Sequence, residues 1–268
     1  MIQLSRFWLD LHGRSLIFDM AGVARPVLTS SAWPFIALVV GLLPLTLGYA
    51  GGLAFHQPLT GLLLAPLFWA CVYQDRLGRA LLLVTLVMGS HSALAIFLSA
   101  HDPVGAAAVL TGGQAYWEQT RNWIQTGDDP EYRLAVWLPQ HLLLFGVVLL
   151  GGGLTLGVVP FAVGVEQVDL MNFYVGRMIS QSDNPVITLL FGWHPWSLLR
   201  GLAYTVLVFA SASWALERVT SRVISTDWRH LRRFALAATL AVADALTKLW
   251  LAPIVREQLF ATVWPGAR

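Results

Sequence analysis

The groups able to do chemistry in this chain are few and far apart: His91 between Ser90 and Ser92, His141, and then Glu166, Asp169 and Arg177 along one helical segment. A histidine beside a carboxylate can serve as a general base or bind a metal. Either use requires convergence in space, because no His-x-x-x-His or His-Glu-x-x-His spacing occurs. No metal and no cofactor is therefore expected, and His91 reads first as a hydrogen-bonded core histidine. His141, Glu166 and Asp169 are kept as candidate catalytic groups.

A second set of ionisable residues lies inside apolar stretches: Arg200, and Asp244 with Lys248. The i, i+4 spacing of the last two predicts an ion pair within one helix. Trp117 and Trp123 fall on a short helix predicted over Gln114 to Gln125, where they suit an interface or a lid over a cavity. Gly192-Trp193-His194-Pro195-Trp196 sets Trp193, His194 and Trp196 just ahead of a helix, as an interfacial belt or as a contact to a headgroup or cofactor.

The element that must position Asp169 runs from Pro160 to Gln181. At 100° per residue Glu166, Asp169, Arg177 and Ser180 share a narrow arc, and Val168, Met171, Val175, Met178 and Ile179 face the other way. Glu166 and Arg177 are about 16 Å apart along such a helix, so each needs a partner from another element.

Hydrophobic residues make up 56% of the chain, charged residues 12%, and mean hydropathy is +0.63. That composition predicts an all-α polytopic membrane bundle with six to seven transmembrane helices. The candidate spans are Trp33 to Phe55, Leu59 to Tyr73, Ala80 to Ala100, Trp137 to Val163, Trp196 to Leu216 and Phe234 to Ala252. Placing the loop Glu217 to Arg233 in the cytoplasm requires one crossing to be added or removed: a crossing helix at Pro160 to Gln181 is the favoured repair, and a re-entrant glycine-rich segment is the rival.

The expected organisation is one membrane domain over 1–268. Residues 1–28 form a cytoplasmic, interfacial amphipathic helix, 33–100 three spans, 101–136 a periplasmic loop with a short helix, and 137–268 three or four spans with a basic cytoplasmic loop at 217–233. The N-terminus does not read as a removable signal peptide. Cys71, the sole cysteine, excludes a disulfide framework. Of 17 basic residues only Lys248 is a lysine, and the arginines are scattered, so no nucleic-acid partner is expected.

Leu138-Pro139-Gln140-His141 followed by Gly151 to Gly157 resembles a stretch of the sporulation stage II protein M family, a membrane family. The likeness covers positions 138–157, and no function is carried from it.

The leading expectation is a non-catalytic inner-membrane protein, a permease-like transport component or a subunit of a larger complex. Its N-terminus is cytoplasmic and its C-terminus periplasmic, with membrane lipid and other membrane or cytoplasmic subunits as partners. The alternative is an intramembrane hydrolase acting on a lipid-linked or peptide substrate at the outer face, with His141, Glu166 and Asp169 as base or ligands and the Trp117/Trp123 helix as lid.

Overall fold

The computed structural model describes residues 31–128, 134–155, 157–221 and 228–264. Ten helices run through them: α1 Trp33–Gly51, α2 His56–Tyr73, α3 Leu77–His101, α4 Pro103–Val109, α5 Gly113–Thr126, α6 Leu134–Leu154, α7 Val158–Ile179, α8 Pro185–Gly192, α9 Pro195–Ser221 and α10 Trp228–Val263.

The turns that set the site in place depend on local chemistry. Gly52 takes φ 63°, which ends α1 and lets the Leu53 N–H reach the Gly48 carbonyl at 2.8 Å. The chain then re-enters at once as α2, with His56 in its first turn. Gly157 takes φ 85° and divides the segment expected as one glycine-rich span into α6 and α7. After that turn α7 runs back against α6, and Gly151 faces the Pro160 ring so closely that a Cβ would lie 2.9 Å from it.

Helix α7 is the hub, packed against α2, α3, α4, α5, α6 and α8. One hydrophobic cluster joins α1, α2, α3, α6, α7, α9 and α10 around Phe68, Phe161 and Phe209. A second joins α5, α7 and α10 around Trp117, Ile124, Phe173 and Leu259. Large apolar side chains also stand outside, among them Leu143, Leu154 and Trp250.

These features correct the class expected from composition. In place of a polytopic membrane bundle of six to seven crossings stands an all-α bundle of ten described helices, held by contacts between helices distant in sequence and by polar groups in its interior. His56, His91, Asp169, Asn172, Asp244 and Lys248 are all buried. Hydropathy counts residue types and not neighbours. Asp169 and Asp244, both in segments expected to cross a bilayer, are met within the chain by His56, His91 and Arg200. By length and composition alone, five described helices would suffice to cross a membrane: α1, α3, α10 and the stretches Val136–Leu154 and Pro195–Arg218. Neither α2 nor α7 is among them.

The multi-pass and transport character, the inner-membrane localisation with its cytoplasmic N-terminus and periplasmic C-terminus, and membrane lipid as partner are withdrawn with that class. The basic loop expected at 217–233 is described only in part: Arg229 and Arg233 pair with Asp75 of the α2–α3 turn, and Glu217 accepts from His230 at 2.7 Å. The interfacial helix expected over residues 1–28 and positions 222–227 of that loop lie outside the described residues.

Candidate metal centre

Three helices bring together three buried groups. His56 comes from the first turn of α2, His91 from the middle of α3 and Asp169 from the middle of α7. His56 Nε2 lies 2.7 Å from Asp169 Oδ2, His91 Nε2 lies 2.6 Å from Oδ1, and all three side chains are 0% exposed. The half-buried Gln57 also donates to Oδ2 from 3.3 Å. The two imidazole rings stack with centroids 5.7 Å apart, and each leaves its Nδ1 buried with no hydrogen-bond partner.

Close helix packing makes this convergence possible. A Cβ at Gly61 of α2 would lie 2.5 Å from the Val158 carbonyl oxygen of α7, and one at Gly176 would lie 2.6 Å from the Ile96 carbonyl oxygen of α3. Glycine at both places lets α7 approach two helices backbone to backbone. Burial pushes the Asp169 pKa up, but the hydrogen bonds from His56 and His91 and their positive field outweigh it, and the carboxyl is held below its ordinary value.

The donor set suits a metal. One ligand atom from each residue lies within 4.8 Å of the others, and two imidazoles with one carboxylate form a familiar set for zinc or non-haem iron with open coordination positions. His56, His91 and Asp169 would hold the ion, supplying two imidazole nitrogens and one carboxylate oxygen.

Beyond the centre lies a cavity of about 870 Å³ between α3, α5, α6, α7 and α9. Ser92, next to His91, and Val168 and Leu170, on either side of Asp169, form part of its wall. Asn172 ties two residues of this wall together: its amide donates to Ser92 Oγ at 3.2 Å, and its oxygen accepts from Trp193 Nε1 at 3.1 Å.

Of the candidates named from sequence, only Asp169 and His91 enter the centre. His141 lies on the cavity wall with Nδ1 against its own Trp137 carbonyl at 2.9 Å, and Glu166 is exposed. Arg177 is half-buried, its guanidinium 6.0 Å from the Trp117 ring centroid. Arg200 reaches Asp244 at 2.9 Å, so the carboxylate expected to pair within α10 gains a partner from α9. Trp117 and Trp123 are buried, and Trp123, Trp193, His194 and Trp196 line the cavity. His194 stacks on Trp196 with centroids 4.3 Å apart.

His56 escaped sequence analysis because it stood in what read as a short connection between spans. The available signal was a histidine in a His-Gln-Pro sequence opening an apolar run, since proline is favoured in a first helical turn.

The fold and centre define an all-α bundle with a buried two-histidine, one-aspartate cluster. No family model, no curated protein and no solved structure matches this chain, so the likeness over 138–157 has no family match behind it. The buried cluster overturns the expectation of a non-catalytic permease-like component or complex subunit. An enzyme, the alternative reading, accords better with it.

Proposed function

We propose that this chain is a metal-dependent enzyme of hydrolase type, with His56 Nε2, His91 Nε2 and a carboxylate oxygen of Asp169 as the metal ligands. The observation that carries this reading is the burial of all three groups in one contact. Stability alone gives little reason to keep them, because a buried ionic group replaced by well-packed apolar residues is often neutral or stabilising. Two partnerless Nδ1 atoms, at about 1–3 kcal/mol for each unsatisfied buried group, strengthen the point.

A divalent ion held there would supply Lewis acidity toward an ester, amide or phosphoester and would activate water for attack. The chain's own groups hold and orient. Asp169 offers the negative charge, and Gln57 donates a hydrogen bond to its carboxylate. Hydrolysis consumes one water and releases an acid and an alcohol or amine, so no redox partner is required.

A second reading has its own support: the 2.6 and 2.7 Å contacts are hydrogen-bond lengths, as in a metal-free staple joining α2, α3 and α7. Elemental analysis of purified protein separates them. The enzyme reading expects stoichiometric transition metal, lost in Asp169→Ala and in His91→Ala, together with chelator-sensitive ester hydrolysis. A wild-type chain that takes up no zinc, iron, manganese or cobalt after refolding would leave only the staple.

A further inference from the structure

Asn172 has only one way to be paired. The Trp193 indole N–H can donate and cannot accept, so the Asn172 atom facing it at 3.1 Å is the amide oxygen. The atom facing Ser92 Oγ at 3.2 Å is then the amide nitrogen, a donor. Ser92 Oγ therefore receives a hydrogen bond from Asn172 and keeps its own hydrogen to give. Donors run one way along this row, from Trp193 through Asn172 to Ser92, and the row ends on the wall of the 870 Å³ cavity, where Ser92 and Trp193 both stand.

That hydrogen is not returned to the helix. A serine inside a helix can donate to a carbonyl one turn back. Ser90 does so to Val87 at 3.1 Å, Ser99 to Ala95 at 2.7 Å, Ser211 to Val208 at 3.1 Å and Ser213 to Phe209 at 2.7 Å. Ser92 differs: among the described residues its hydroxyl accepts from Asn172 and donates to none. Asn172 is 0% exposed and Ser92 7%, so the donor stands at the cavity in largely dry surroundings, where an acceptor counts most.

The neighbouring wall is apolar and polarisable. Met88 lies one turn before Ser92 on α3, Val168 and Met171 lie beside Asn172 on α7, and the Trp193 indole completes it. Aromatic rings pack well against indoles and thioethers. One amide group separates that indole from the Ser92 hydroxyl, so a flat surface and a donor stand within the span of one small molecule.

We propose that the cavity binds an apolar aryl compound through its carbonyl oxygen, which accepts from Ser92 Oγ, with Asn172 and Trp193 as positioning residues. A carbonyl brings an acceptor and no proton, which matches a wall that offers a donor. As a binding site this stands by itself. As the seat of the scissile group it rests on the hydrolase reading and narrows it to aryl esters and amides; Ser92 follows His91 on α3, and Asn172 lies one turn beyond Asp169 on α7.

Two uncharged compounds of one shape test this on the purified full-length chain: 2-acetylnaphthalene, and 2-isopropenylnaphthalene, in which a CH2 replaces the carbonyl oxygen. Each is titrated against bound Prodan, a fluorescent naphthyl ketone. The readout is the ratio of the two affinities, because damage to packing weakens both compounds and loss of the donor weakens only the ketone. Ser92→Ala should lower the ketone-to-alkene ratio roughly fivefold or more. Asn172→Leu, and Trp193→Phe, which keeps a ring and removes the N–H, should each lower it about twofold to fivefold. In the wild type the carbonyl stretch of the bound ketone should lie below its frequency in hexane, and in Ser92→Ala it should return toward that frequency.

A ratio unchanged in Ser92→Ala, a wild-type stretch at the hexane frequency, or a wild type that binds none of the three compounds overturns the proposal. A protein that takes up metal but binds none of them keeps the hydrolase reading and loses this site. One that shows the Ser92-dependent ratio but takes up no metal keeps the site and loses the hydrolase.

Discussion

Asp169 concentrates the chemistry of this chain in one carboxylate, and its removal should be felt in stability as well as in metal content. Asp169→Ala leaves two buried imidazoles without their acceptor, a loss of about 3–5 kcal/mol when one member of a buried pair is deleted. Chemical denaturation of the variant checks the figure. The triple variant His56→Leu, His91→Leu, Asp169→Leu should recover much of that stability and bind no metal, which separates the cost of an orphaned charge from the role of the site. A second aspartate adds to the response to acid. Asp102 caps α4, accepting from Tyr49 Oη and from the Gly105 N–H at 3.0 Å, and these bonds, Tyr49 first, hold its pKa below the ordinary carboxylate value. A depressed folded pKa means that its stabilisation is complete above the ordinary aspartate value of about 3.9 and is lost as pH falls through the lower folded value. Thermal melts from pH 6 to pH 2 should show an acid-side loss that Asp102→Ala has already suffered at neutral pH.

Among elements, α7 was the most legible and its surroundings the least. The segment from Pro160 to Gln181 stands out because polar and apolar residues alternate at helical period, and the helix is observed at Val158–Ile179. Its polar arc divides in the structure: Asp169 is buried, whereas Glu166 and Ser180 face outward. Spacing on one helix gives a direction for each side chain, and only the neighbouring helices decide whether that direction leads inward. The break at Gly157 was hidden because a glycine inside an apolar run looks the same whether it packs closely or turns at positive φ. Glycines of both kinds occur here, and substitution distinguishes them. Gly176→Ala and Gly61→Ala drive a methyl into opposing backbone and should each cost about 1–3 kcal/mol in denaturant unfolding. Gly89→Ala and Gly164→Ala meet open space and should be neutral or stabilising by about 0.5–1 kcal/mol. Similar losses in all four would contradict the packing described.

For the whole molecule, composition named helices correctly and their setting poorly. Apolar runs of 18 or more residues occur in α1, α3, α6, α9 and α10, yet the ion pair and the histidine–aspartate contacts that order the interior come from residues too sparse to affect a composition average. His56 and Asp169 are 113 positions apart, and no local spacing encodes such a meeting. Arg200 with Asp244 is another tie between distant residues, joining α9 to α10 across 44 positions. Arg200→Met should strand the buried Asp244 carboxylate at a cost approaching about 3–5 kcal/mol, reduced because the arginine is 21% exposed, and Asp244→Leu in the same chain should restore most of it. Equilibrium unfolding of the two variants decides whether that pair is structural ballast or a necessity.

The placement of α7 as hub also fixes an order in time. His91 leaves the ribosome 78 residues ahead of Asp169, about 4–16 s at ~5–20 residues per second, and throughout that interval α2 and α3 lack the helix against which both pack. On the hydrolase reading, metal acquisition through all three donors would be a late event in biogenesis, possible only after α7 has docked. Nascent chains arrested before Val158 should leave both imidazoles open to alkylation, and chains arrested well beyond Ile179 should protect them.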